Sequence, residues 1–202
     1  MSGESHPGER GKTRCLTIRA LRRDRDRAHA QGLRTVTHRA YLVLGSNIEK
    51  ERNVPAALRR LAEHPDIRLV AVSSTYETLP IGSSDAPTFY NAALIVETPL
   101  DAHALKWTVL RPIEEALGRV RTSDPNAPRT IDLDIVLFDR DVFDLDGNPI
   151  PDPDIERYPH VALALAEIDP TYVHPVTGKT LAEMAKNVPS GGVLRVRPAL
   201  WA

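Results

Sequence analysis

The segment Pro128-Arg129-Thr130-Ile131-Asp132-Leu133-Asp134-Ile135-Val136-Leu137-Phe138 places the strongest constraint on this chain. Two carboxylates lie two positions apart in an otherwise apolar, β-branched run that follows an arginine. In a strand the side chains alternate between faces, so Asp132 and Asp134 project from one face and Leu133 and Ile135 from the other. Two carboxylates held side by side on a rigid strand repel each other unless a cation lies between them, and hard oxygen ligands of this kind select Mg²⁺. Solvated positions on the polar face of an edge strand are the competing reading.

With 202 residues, 42% of them hydrophobic and 26% charged, the chain has enough apolar material for one domain with a good core. No run approaches the ~18 apolar residues of a membrane span, and the N-terminus lacks the apolar region of a secretory signal. A cytoplasmic chain that acts without a membrane is expected. Cys15 is the single cysteine, which excludes an internal disulfide and fits a reducing compartment.

The net charge of −1 hides a division along the chain. Residues 1–39 carry a balance of +6 and residues 40–202 a balance of −7. The first segment, with Arg22, Arg23, Arg25 and Arg27 interleaved with Asp24 and Asp26, has little apolar periodicity to bury. It is expected to be a solvated, disordered extension, with the folded domain occupying 40–202. A transit peptide or a nucleic-acid-binding arm is disfavoured by few serines and by the lack of an aromatic residue to stack on a base. A true start near Val36 is a further reading.

From residue 40 the pattern becomes regular. Ala40 to Leu44 reads as a buried strand closed by the turn Gly45-Ser46-Asn47. Val54, Ala57, Leu58 and Leu61 recur at helical spacing over 51–64, with Pro55 placed in the first turn. Ile67 to Thr78 and Phe89 to Thr98 are β-branched and aromatic, and the prolines and Gly82 between them mark a long loop. Residues 101–117 return to the helical period, with Asp101 as N-cap, a kink expected at Pro112 and Gly118 at the end. The aspartate strand follows. Beyond it, 142–153 is turn-rich, and short helices are expected over 161–168 and 180–186.

Strand, helix, strand, strand, helix, strand is the split βαβ order. It predicts an α+β, ferredoxin-like βαββαβ core with a largely antiparallel sheet, helices on one face, the other face open, and a C-terminal extension.

The ordered set Gly45-Ser46-Asn47, Thr78 to Gly82, Phe89-Tyr90-Asn91-Ala92-Ala93, Glu114 with Gly118-Arg119-Val120-Arg121, and Pro128 to Asp134 resembles the 6-hydroxymethyl-7,8-dihydropterin pyrophosphokinase family. The resemblance runs from about Ala40 to about Pro170. It implies transfer of the β,γ-diphosphate of ATP, as one unit, to the hydroxymethyl oxygen of the pterin in folate biosynthesis, with release of AMP. It also implies two Mg²⁺ ions held by Asp132 and Asp134. Arg119 and Arg129 match basic positions that assist the transfer, and Arg111, Glu114, Arg121 and Arg157 are carried over as ATP-binding positions. A flat heteroaromatic ring needs a stacking surface and an amide, which Phe89 and Asn91 offer two apart on one strand. Backbone groups of Thr78, Leu79 and Ile81 and the ring of Tyr158 complete the implied pterin site.

The chain departs from the family pattern in two places. Pro125 stands where a basic residue is usual, and Pro151-Asp152-Pro153 has an acid where the family has histidine. An aspartate beside a triphosphate repels it unless it binds metal or faces solvent. Small-molecule substrates are the expected partners, with no nucleic acid and at most weak self-association of a monomer. Three other readings stay open: a paralogue acting on another pterin alcohol, a pterin-binding module without catalysis, and an RNA-binding ferredoxin-like module. The last expects a basic sheet face, whereas the folded part here is acidic.

Overall fold

The computed structural model describes residues 37–80, 87–122, 127–188 and 191–200. The chain divides into two units, Met1–Thr35 and Val36–Ala202, and the described fold belongs to the second. The expected disordered extension lies, as far as residue 36, outside the described residues.

Strand β1 (His38–Ser46) begins two residues before the apolar run, and α1 (Lys50–Glu63) buries Val54, Ala57, Leu58 and Leu61 as their spacing predicts. The helix starts at Lys50, so Pro55 falls in its second turn rather than its first. The run from Ile67 to Thr78 is not one strand. Ser73 breaks it into β2 (Arg68–Val72) and β3 (Thr75–Thr78), its hydroxyl accepting the Ala93 N–H at 2.9 Å. Both segments pair with β4 (Phe89–Thr98), β3 at its beginning and β2 at its end.

The helical run after Asp101 comprises α2 (Ala102–Ala104), a π-helical segment Leu105–Leu110, and α3 (Arg111–Ala116). Asp101 caps it as expected, accepting from Ala104 N at 2.7 Å. Pro112 has no N–H to donate, and the wider π turn immediately ahead of it takes up the mismatch. Gly118 follows α3 at φ 77°, a conformation that favours glycine.

Strand β5 (Asp132–Phe138) is followed by the hairpin β6 (Phe143–Leu145) and β7 (Asn148–Ile150). Three helices come next, α4 (Asp154–Arg157), α5 (Pro159–Ile168) and α6 (Leu181–Asn187), and then β8 (Val193–Arg197), which sequence reading did not anticipate. The main sheet is antiparallel throughout, in the order β5-β1-β4-β3-β8 with β2 also on β4.

The sheet has a core on each side. Leu42, Leu44, Leu94, Val96, Leu133 and Ile135 pack with α1 and the 102–113 helices. Tyr41, Ala93, Ile95 and Val136 pack on the other side against Ile155, Val161, Leu165, Leu181 and Met184. Each fully buried aliphatic side chain contributes about 1.5–3 kcal/mol. The expectation of an open second face therefore needs correction: the helices α4 to α6 cover its far part. What stays open is the end of the sheet where Gly45, Phe89, Asn91, Asp132 and Asp134 lie.

Candidate active site

Register alone brings the candidates together. Gly45 pairs with Asp132 on one side and Asn91 on the other, Asn91 pairs with Tyr76, and Phe89 with Thr78. Asp134 is opposite Val43, one step along the same face. Gly45 keeps the row shallow: a Cβ there would meet Asn91 Oδ1 at 3.4 Å and project into the cleft.

The Gly45-Ser46-Asn47 turn grips the segment leading into β5. Arg129 N donates to Asn47 Oδ1 at 2.7 Å, Asn47 N and Ile48 N both donate to Arg129 O, and Ser46 Oγ donates to Thr130 O at 2.6 Å. Two sequence motifs 84 positions apart are one structural unit, and it fixes where the Arg129 side chain begins.

Asp132 is paired with Arg129, and Arg119 Nη2 approaches its other oxygen at 3.7 Å. Among the described residues no donor hydrogen-bonds to the Asp134 carboxylate. Asp134 is open to water along the cleft and hemmed in by protein on its other sides. That enclosure, with the Asp132 charge beside it, pushes its carboxyl up to about 7. A carboxyl raised by enclosure and by a like charge is the donor that a hard divalent cation would relieve, so the pair fits Mg²⁺.

Two cavities meet at this pair. The first, of about 190 Å³, is lined by Thr78, Leu79, Phe89, Asn91 and Tyr158 together with Gly45, Val43, Asp152, Asp154 and His160. The second, of about 240 Å³, is basic, lined by Lys106, Arg111, Arg119, Arg121 and Arg129. Asp132, Asp134 and Arg129 belong to both. In the first cavity, Asn91 Nδ2 donates to Thr78 Oγ1 at 2.9 Å and to Tyr76 O at 3.3 Å, so its amide oxygen is the atom left facing Gly45. Phe89 lies under the Arg129 guanidinium at 5.7 Å, and Tyr158 stacks on His160 with centroids 5.7 Å apart. Burial holds the His160 imidazole down, at about 4, and thus neutral near pH 7.

Glu114 and Arg157 line neither cavity. Glu114 is buried behind β5, accepting Leu133 N at 2.8 Å on one oxygen and Arg121 (2.6 Å) and Arg111 (2.9 Å) on the other. Burial pushes this carboxyl up, while the Leu133 N–H and the Arg111 charge pull it back. Arg157 is exposed and pairs with Asp154 at 3.7 Å. Ile81 lies outside the described residues.

Sequence reading did not assign Lys106 or His160 to the site, and read Gly45 as a turn and motif residue without giving it a place in the cavity. Lys106 and Arg111 are five apart, which an α-helix places on different faces. The π segment bonds Arg111 N to Lys106 O and turns both toward the basic cavity. Asp152 lies in the first cavity and not in the basic one, its Oδ1 accepting Asp154 N at 2.8 Å.

Residues 41–170 match the family of 7,8-dihydro-6-hydroxymethylpterin-pyrophosphokinase (HPPK). The chain belongs to the HPPK family. A 2-amino-4-hydroxy-6-hydroxymethyldihydropteridine pyrophosphokinase of Methylorubrum extorquens is 38% identical over 159 residues, which cover 78% of this chain and 98% of the relative. The enzyme of that name from Pseudomonas aeruginosa is 36% identical, with 78% and 96% covered. The chain also matches the folic acid synthesis protein fol1 of Schizosaccharomyces pombe at 36% identity over 76% of its own length, and spans only 21% of that longer protein. A crystal structure of wild-type HPPK-DHPS from Plasmodium falciparum superposes with a TM-score of 0.58 at 15% identity, covering 75% of this chain and 44% of that one, which shows a shared fold.

Proposed function

We propose that this HPPK-family chain transfers the β,γ-diphosphate of ATP to the hydroxymethyl oxygen of 6-hydroxymethyl-7,8-dihydropterin, releasing AMP, as a step of folate biosynthesis. The observation that carries this reading is the junction of two unlike cavities at one carboxylate pair. A basic cavity suits a triphosphate, and a cavity with Phe89, Tyr158 and an amide oxygen suits a flat ring with donors on its edge.

Arg111, Arg119, Arg121 and Lys106 hold the phosphates by charge. Arg119 Nε is buried with no hydrogen-bond partner, so its guanidinium has donors to offer a ligand. Phe89 and Tyr158 orient the ring, and Asn91 Oδ1 accepts from its edge. The ring's hydroxymethyl oxygen then faces the phosphates across Asp132 and Asp134. The bond from that oxygen to the β-phosphorus forms as the bond from the β-phosphorus to the α,β-bridging oxygen breaks, AMP leaves with that oxygen, and the hydroxyl proton passes to water in the cleft. When bound, Mg²⁺, two ions by the family resemblance, neutralises phosphate charge at Asp132 and Asp134. Arg129, paired with Asp132 here, is within reach of both cavities and can turn to the transferring group.

Among the described residues no helix is long and apolar enough to cross a membrane. The single cysteine supports a cytoplasmic site of action. Arg157 and Glu114 enter this reading differently: Glu114 positions Arg111 and Arg121, and Arg157 contacts ATP only if the solvent-facing side chain swings inward.

A second reading, a paralogue specific for another pterin alcohol, has its own support in Asp152, Asp154 and His160 facing the ring cavity. AMP release measured over a panel of pterin alcohols tests both. Turnover of 6-hydroxymethyl-7,8-dihydropterin supports the first; turnover of a different alcohol alone supports the second.

A further inference from the structure

The sheet ends in a strand that lies beyond the family match: the match stops at residue 170 and β8 occupies Val193–Arg197. Strand β8 is nevertheless tied to the ring cavity at both of its strand walls. Leu79, which lines the cavity, donates its N–H to Gly192 O at 3.1 Å, at the entry to β8. Glu77, one residue before the cavity-lining Thr78, is the centre of a second tie. Its Oε2 accepts Arg197 Nη2 at 2.8 Å and Nε at 3.1 Å, and its Oε1 accepts Lys50 Nζ at 3.2 Å and Thr88 Oγ1 at 2.9 Å. Lys50 Nζ also donates to Thr88 O at 2.8 Å.

One carboxylate thus joins β8, the end of β3, the residue just before β4 and the first residue of α1. The Glu77 and Lys50 side chains are only 15% and 12% exposed, so these charges have few alternative partners in water. Tyr90 completes the arrangement. It pairs with Glu77 across β3 and β4, on the face turned away from Phe89 and Asn91, and its ring lies 4.2 Å from Lys50 Nζ and 5.4 Å from the Arg197 guanidinium. Phe89 and Asn91 flank it and are held in register from behind. None of these cations lines the basic cavity.

We propose that β8 acts as a positioning element for the ring side of the site, with Arg197 and Glu77 as positioning residues that hold Thr78, Leu79, Phe89 and Asn91 at the geometry the pterin requires. This rests on the assignment of the first cavity to the pterin. A network that touches one cavity's walls and not the other's has a signature that general stabilisation lacks: its loss separates the two substrates.

The test uses the full chain with Arg197→Met, Arg197→Lys and Glu77→Gln. AMP release is measured against each substrate, and amide hydrogen exchange is followed over residues 76–79 and 88–91. Arg197→Met is expected to raise KM for the pterin by roughly tenfold, the effect of losing one well-placed contact. KM for ATP and kcat are expected to stay within about twofold, since their residues lie elsewhere. The amides of both segments exchange faster, and Arg197→Lys recovers most of both effects. Where Arg197→Met does not fold, Glu77→Gln carries the same comparison. Equal shifts in both KM values, no shift in either, or unchanged exchange overturns the proposal. Absence of pterin turnover by the unsubstituted chain overturns the reaction assignment, and this proposal with it.

Discussion

Asp134 has the least compensated charge in the site: a carboxyl raised by enclosure and by Asp132. Replacing it with asparagine removes a repulsion as well as a metal ligand. Asp134→Asn is therefore expected to leave the unfolding temperature in the presence of a chelator unchanged or higher, while AMP release falls by about a hundredfold or more. Calorimetry beside a turnover assay checks both halves. Gly45 has the converse role, since its contribution is an empty volume. Gly45→Ala places a methyl at ordinary contact distance from Asn91 Oδ1, so stability is expected to change little and KM for the pterin to rise. Period-two alternation made the faces of Asp132, Asp134, Phe89 and Asn91 legible from sequence, because a strand leaves side chains no other choice. It could not show that the Asn91 amide nitrogen is engaged by Thr78 and Tyr76, which lie on another strand, or that His160 stacks on Tyr158, which depends on how the chain turns between α4 and α5.

At the level of elements, the strands of the core were readable from local pattern, and three features were not. Ser73 breaks a run that looks continuous because its hydroxyl takes the place of a strand bond to Ala93. The π segment rotates Lys106 into line with Arg111 only after Pro112 has disturbed the helix. Strand β8 has a partner more than 100 residues earlier, and nothing within Val193–Arg197 announces it. Helix α3 brings Arg111 to the basic cavity and, through Glu114, fastens the outer edge of β5 between the two aspartates. Glu114→Ala leaves the buried Leu133 N–H without its acceptor and is expected to lower stability by about 1–3 kcal/mol. Glu114→Gln keeps that acceptor and releases the arginines, so a smaller loss of stability is expected together with weaker ATP binding. Chemical denaturation and ATP titration separate the two. The β3–β8 tie should be visible in acid. Arg197, then Thr88 and Lys50, hold the Glu77 carboxyl down at about 2. Because the folded value lies below the ordinary one near 4.5, the stabilisation is fully present above that value and is lost as the pH falls toward 2. The stability difference between the parent chain and Glu77→Gln is expected to be flat at neutral pH and to shrink below about pH 4.5.

At the scale of the whole molecule, residues 40–202 are acidic, yet the basic cavity gathers five cations around the carboxylate pair. Opposite signs in separate places make salt a discriminating probe. Raising ionic strength from about 0.05 M to about 0.5 M shortens the screening length severalfold and is expected to raise KM for ATP while leaving KM for the uncharged pterin nearly constant. Steady-state kinetics at the two salt concentrations decide this.

The two rims of the sheet are guarded differently. On β5 the outward Leu133 amide is already engaged by Glu114 from the chain's own helix. Among the described residues no strand pairs with the outer side of β8, and Leu194 and Val196 stand there 55% and 54% exposed. Such a margin is a template for stray extended peptide. In concentrated or partly destabilised samples, precipitation is expected to begin at this margin, and a lysine at position 194 or 196 to delay it.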